Sequence, residues 1–143
     1  MVIWMEFIKS NNTYVVRLEK GEEILASLKK LCEDNGIKAG EVTGIGATDY
    51  VKVGLFNVGT KEYASTIINE PMEITSLMGN ISTKDGENYL HLHINVATAD
   101  MMVHGGHLNE CRISATCEIY VNVFDQTVER RFDDEIGLNL YKF

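Results

Sequence analysis

Apolar residues follow a helical period at one place in this chain, and elsewhere they follow the period of a strand. The helical stretch is EEILASLKKLCEDNG, where Ile24, Leu25, Leu28, Leu31 and Cys32 recur every three or four residues and so share one face. Glu22 and Glu23 fall where the positive end of a helix dipole favours carboxylates, and Gly36 is suited to end the helix. Ahead of it, residues 3–9 and 13–19 read as strands joined by a turn at Asn11-Asn12. Beyond Gly36 the period becomes two. EVTGIGATDY and VKVGLFNV read as two paired strands, followed by the strand-like runs KEYASTIINE and MEITSLMGNIS. A turn at Asp85-Gly86 leads into YLHLHINVATA; CRISATCEIYVNVF gives one long strand and VERRFDDEIGLNLYKF a terminal one. A lone helix among many strands, without regular alternation, predicts an α+β fold with a mainly antiparallel sheet. A doubly wound dinucleotide-binding fold is a poor match, because GIGA at 44–47 lacks both the full GxGxxG fingerprint and its following helix.

These elements fit a single domain over residues 1–143. Pro71 is the only proline, and no low-complexity tract or repeat divides the chain. A chain of this length buries roughly two-thirds of its extended surface on folding, enough for a core without disulfides. No apolar run approaches the ~20 residues needed to cross a bilayer. The opening MVIWMEFIKS has no basic region ahead of its apolar stretch, so it does not read as a secretory signal. Cys32, Cys111 and Cys117 form no close pair, the usage expected of reduced thiols in the cytoplasm. Thirteen lysines and arginines stand against 21 acidic residues, a formal net charge of -8. That field opposes both nucleic-acid phosphate and an anionic membrane surface.

All four histidines lie between positions 91 and 107. In a strand through YLHLHINVAT, Leu90, Leu92, Ile94 and Val96 share one face and His91, His93 and Asn95 the other. The apolar row can enter a core while the two imidazoles point together into a pocket or an interface. A short loop passing His104 leads to GGHL, where His107 can return as a third nitrogen ligand. Gly105 and Gly106 remove bulk that would hold the chain away from His91 and His93. Three neutral imidazoles with an open fourth position suit zinc or another divalent transition metal. A metal-free polar pocket and ordinary surface or interface histidines remain alternatives on the residues alone, and His104 has the weakest claim to a ligand role.

In the following strand, Cys117 shares the apolar face with Ile113, Ala115, Ile119, Val121 and Val123. Glu118 lies on the other face with Ser114, Thr116, Tyr120 and Asn122. Glu118 is therefore a candidate to orient a histidine, ligate metal or act as a catalytic acid or base, against the plainer reading of an interface salt bridge or solvated strand. Cys111 and Cys117 read as ordinary buried thiols rather than as zinc ligands beside His107.

GIGA at 44–47, EITSLMGNISTKDG at 73–86, HLH at 91–93, GGHL at 105–108 and CEIYV at 117–121 occur together and in order. This arrangement resembles the plant-and-prokaryote conserved (PPC) domain, in its single-domain prokaryotic form, over nearly the whole chain. The resemblance implies a compact α+β domain with a partly barrel-like antiparallel sheet and one principal helix, assembled as a homotrimer. It implies a metal-site role for His91, His93 and His107, with Glu118 facing the same cavity near a subunit interface. Relatives in plants join this domain to a basic DNA-binding segment, which is absent here; Lys29-Lys30 and Arg130-Arg131 are the only adjacent basic pairs. The expectation is a trimeric small-ligand-binding or assembly domain with a histidine metal site, associated with DNA regulation and with a small-molecule ligand or a regulatory protein as its partner. A metal-dependent hydrolase and a direct DNA-binding regulator are the alternatives.

Overall fold

A computed structural model describes residues 4–143, so position 3 of the expected first strand lies outside it. The elements are β1 (Glu6–Ser10), β2 (Thr13–Glu19), α1 (Ile24–Asn35), β3 (Gly40–Asn57), β4 (Glu62–Ile68), β5 (Met72–Lys84), β6 (Glu87–Ala97), β7 (Val103–Val123), β8 (Glu129–Asp133) and β9 (Leu138–Lys142). They form one nine-stranded sheet in the order β1-β2-β7-β3-β5-β8-β9, with β4 on β3 and β6 bonded to both β5 and β7. The circuit β7-β3-β5-β6 makes a partial ring. The ladders are antiparallel except at one point, where Thr83 of β5 pairs in parallel with Glu129 of β8. The sheet is therefore mixed rather than wholly antiparallel.

Helix α1 follows the apolar spacing. Ile24, Leu28, Leu31 and Cys32 are buried, and the chain leaves the helix through Gly36 at φ 65°. The two carboxylates at its start have distinct roles. Glu23 caps the helix, accepting from Leu25 N at 3.1 Å and Ala26 N at 2.9 Å, and also takes Cys111 N at 3.0 Å. Glu22 is fully buried and accepts from the backbone amides of Trp4, Met5 and Glu19 at 2.7–2.9 Å. It ties the entry to β1 and the exit from β2 to the helix start.

Three boundaries differ from the sequence reading. The runs expected to be paired strands after Gly40 form the single 18-residue strand β3, because the chain bends at bulges instead of turning. Thr48 holds that bend: its buried hydroxyl has one proton to share between the carbonyls of Arg112 at 2.6 Å and Tyr50 at 2.9 Å, and accepts from Tyr50 N at 3.1 Å. Likewise His104, GGHL and CRISATCEIYVNV all belong to the 21-residue strand β7, Phe124 falls just beyond it, and the expected loop is confined to the residues before Val103. The terminal segment folds into the β8–β9 hairpin rather than one strand.

The core gathers Ile24, Leu28 and Leu31 against strand residues including Leu18, Leu77, Leu92, Ile94 and Ile119. Each such side chain contributes about 1.5–3 kcal/mol on burial. Anchoring Leu92, Ile94 and Val96 inward fixes the alternation of β6 and turns His91 and His93 outward. Among the described residues no helix is long and apolar enough to cross a membrane.

Candidate metal centre

His91 and His93 stand two residues apart on β6, and cross-strand pairing sets His107 of β7 directly beside His93. The ring centroids are 5.1 Å apart for His91 and His93, 5.3 Å for His91 and His107, and 5.7 Å for His93 and His107. One nitrogen from each ring lies within 4.8 Å of the others. A tetrahedral zinc with bonds of ~2.1 Å sets such nitrogens about 3.4 Å apart, so small side-chain rotations bring all three to one ion. The glycines allow this approach. A Cβ on Gly105 would collide with the carbonyl of Ile94 and the side chain of Asn95, and one on Gly106 would stand 2.7 Å from the carbonyl oxygen of Gly54.

Partial burial, with smaller contributions from the Arg130 charge and the other two imidazoles, lowers the His91 pKa to about 4. Burial and His93 lower that of His107. Both rings are therefore neutral at neutral pH and keep a lone pair for a cation. His104 is exposed on β7, opposite Val96, and stands outside the cluster.

The histidines open onto a cavity of about 930 Å³ between the sheet and the β8–β9 hairpin. Leu55, Leu138 and Leu140 supply apolar wall, while Tyr63, Tyr89 and Asn109 add polar groups. The Tyr63 hydroxyl donates to Asn109, and its ring meets His107 edge-on at 6.1 Å. Arg130 reaches the same cavity from β8. It lies between the rings of Tyr89 and Tyr141, at 4.7 and 4.4 Å, and donates to Ser82 Oγ, the Asn139 carbonyl and Asn80 Oδ1 at 2.7–2.9 Å. The sequence reading noticed Arg130 only as half of a basic pair. Nothing local announces its role, because its anchors lie about fifty positions away in the chain.

The structure does not bring Glu118 into this cavity. Glu118 is exposed on β7, opposite Arg17 of β2 and Ile45 of β3, and lines a separate groove of about 900 Å³. Its strand parity follows the sequence reading, but β7 pairs with β6 only over Val103–His107, and at the level of Glu118 β3 and β5 lie between β7 and β6. The two sites are nevertheless linked across one sheet face. Ile8, Val15, Tyr120, Thr43, Met78, His93 and His107 are successive cross-strand partners, forming a row that ends at the histidines. Ile8, Val15, Tyr120 and Met78 in that row are exposed.

Cys32, Cys111 and Cys117 are free and buried, and burial pushes each thiol up to about 12. They are protonated at neutral pH and do not present the thiolate that binds zinc.

A sequence profile of the Plants and Prokaryotes Conserved (PCC) domain matches residues 5–125. The fold is similar to that of a candidate DNA-binding protein from Bacteroides thetaiotaomicron, at 34% identity and TM-score 0.95 over 97% of each chain. A metal-containing protein from Archaeoglobus fulgidus is similar at 32% identity and TM-score 0.86, over 100% of this chain and 99% of that one. In sequence, the chain is 31% identical over 125 residues to the bifunctional protein GlmU of a Synechococcus strain. That match takes in 86% of this chain and spans 18% of the relative's length.

Proposed function

The chain belongs to the Plants and Prokaryotes Conserved domain family, and from that premise we propose a cytoplasmic, homotrimeric small-ligand-binding or assembly domain, residues 1–143 acting as one unit. His91, His93 and His107 hold a divalent transition metal, zinc by preference. The observation that carries this reading is the convergence of three imidazoles, two of them held neutral by their surroundings. The likeness to an archaeal protein described as metal-containing supports it. When bound, the metal supplies a Lewis-acidic position facing the cavity. The chain's own residues fix the ligand geometry, and the apolar wall excludes water from one side of a bound molecule.

Assembly is supported by the exposed row from Ile8 to Met78, apolar surface that a neighbouring subunit would cover up to the edge of the histidine cavity. The likeness to a candidate DNA-binding protein favours a regulatory association. A net charge of -8 favours an indirect one, through a protein partner. Glu118 is a catalytic acid or base only in a hydrolase whose neighbouring subunit turns that residue toward the histidines.

The test is zinc content after stripping and reloading, compared with His91→Ala, His93→Ala and His107→Ala. About one ion per chain in the wild type and loss in each variant is expected. Unchanged content in all three variants contradicts the metal centre. Sedimentation equilibrium checks the trimer, which a monomeric mass would contradict.

A further inference from the structure

We propose that the cavity beside the histidines binds a small organic carboxylate with an apolar body. The carboxylate lies between Arg130 and the metal position, and the body rests on Leu55, Leu138 and Leu140. The metal-facing half of this inference rests on the metal centre proposed above; the Arg130 half does not.

Charge carries the argument. Of the 21 acidic residues in the chain, none lines this cavity among the described residues. Imidazole ligands bring no negative charge, so the double charge of a metal held by His91, His93 and His107 would be uncompensated. Arg130 adds another positive charge and has no carboxylate partner among the described residues. Holding half-buried cations together without an anion is costly, so the cavity favours an anionic ligand.

The placement of Arg130 then narrows the ligand. Ser82, Asn80 and the Asn139 carbonyl accept three hydrogen bonds from a guanidinium that has five N–H groups, so two remain to donate. Stacking on Tyr89 and Tyr141 holds the plane of the guanidinium before a ligand arrives. Asn80, which takes one of those bonds, is the cross-strand partner of His91, so the guanidinium is anchored next to a metal ligand. A planar carboxylate can give one oxygen to the guanidinium and turn the other toward the metal. The leucines at the mouth are partly or largely exposed, with Leu55 at 67%, which favours an apolar body over a bare inorganic anion.

Calorimetric titrations of benzoate, neutral benzyl alcohol and inorganic phosphate at constant ionic strength test the proposal. They use zinc-loaded and zinc-free protein, as wild type, Arg130→Gln and Arg130→Lys, each checked for folding and zinc content. Benzoate is expected to bind the zinc-loaded wild type best and to weaken about 10- to 100-fold in Arg130→Gln, as loss of hydrogen bonds to a charged group implies. Benzyl alcohol is expected to bind alike in both, and phosphate more weakly than benzoate. Arg130→Lys keeps the charge without the planar fork and is expected to lose several-fold for benzoate alone; it carries the comparison if the glutamine variant unfolds. No benzoate binding, equal benzoate affinity in wild type and variants, or parallel loss of benzoate and benzyl alcohol overturns the proposal; the last would make Arg130 a clasp for the hairpin only. Tighter binding of phosphate than benzoate also overturns it. If the wild type takes up no zinc, the metal reading fails separately. The zinc-free titrations then decide: benzoate binding lost in Arg130→Gln upholds the carboxylate site, and its absence overturns it.

Discussion

Cys32, Cys111 and Cys117 lie in the apolar core, whereas His91, His93 and His107 border an open cavity on the other side of the sheet. Both trios consist of side chains that ligate metals; the thiols are buried, whereas His91 and His107 are half-buried and His93 is exposed. Withdrawal disfavours the charged form in each case, raising the thiols to about 12 and lowering His91 to about 4. The consequences are opposite because the ligating forms differ. A cysteine binds zinc as the charged thiolate, which burial removes, while a histidine binds as the neutral imidazole, which burial preserves. Burial therefore silences the three thiols and prepares His91 and His107.

The largest effect that can break this comparison is on metal affinity. Any one of the three histidine-to-alanine changes is expected to weaken zinc binding by more than about a hundredfold, beyond what loss of a group supporting a ligand costs. Cys117→Ser, measured by the same competition titration with a chromogenic chelator, is expected to leave zinc affinity unchanged. That serine instead buries a hydroxyl in the core and is expected to cost about 1–3 kcal/mol in urea unfolding. Zinc loss in Cys117→Ser with retention in His107→Ala would reverse the assignment.

Zinc is next expected to stabilise the fold. Free zinc at a hundred times its dissociation constant adds about 2.7 kcal/mol, which for a chain of this size raises Tm by roughly 5–10 °C in differential scanning calorimetry. A chelator should reverse the rise, and His93→Ala should abolish it.

A smaller effect is the pH dependence of the metal-free protein. Folded His91 gains its proton only near pH 4, whereas the unfolded chain does so near 6.5. Between those values the unfolded state holds more protons, so the contribution is complete above about 6.5 and is lost as the pH falls toward 4. His107 acts in the same direction. The slope of unfolding free energy against pH over that window is expected to become shallower in His91→Ala. The smallest effect is that of His104→Ala, an exposed position outside the cluster, expected within about 0.5 kcal/mol in stability and without change in zinc content.

Features governed by local periodicity were legible before the fold was known. The spacing of Ile24, Leu28, Leu31 and Cys32 specified α1, and the alternation of β6 with the paired glycines before His107 specified the histidine cluster. Features governed by sheet closure were not. Parity placed Glu118 on the polar face of β7, but it carries no information about how many strands separate two residues on that face. The bends in β3 and β7 looked like breaks, because a bulge held by a buried threonine has the same local composition as a turn. Arg130 gave no signal, since Tyr89, Ser82 and Asn80 reach it only when the β8–β9 hairpin docks on β5.

Diffraction from zinc-loaded crystals, recorded on both sides of the zinc absorption edge, tests the central claim most directly. The expected result is one anomalous peak per chain, about 2.0–2.1 Å from a nitrogen of each of His91, His93 and His107. A zinc-loaded crystal with no peak among these three rings, or with its peak at Cys111 or Cys117, would contradict it.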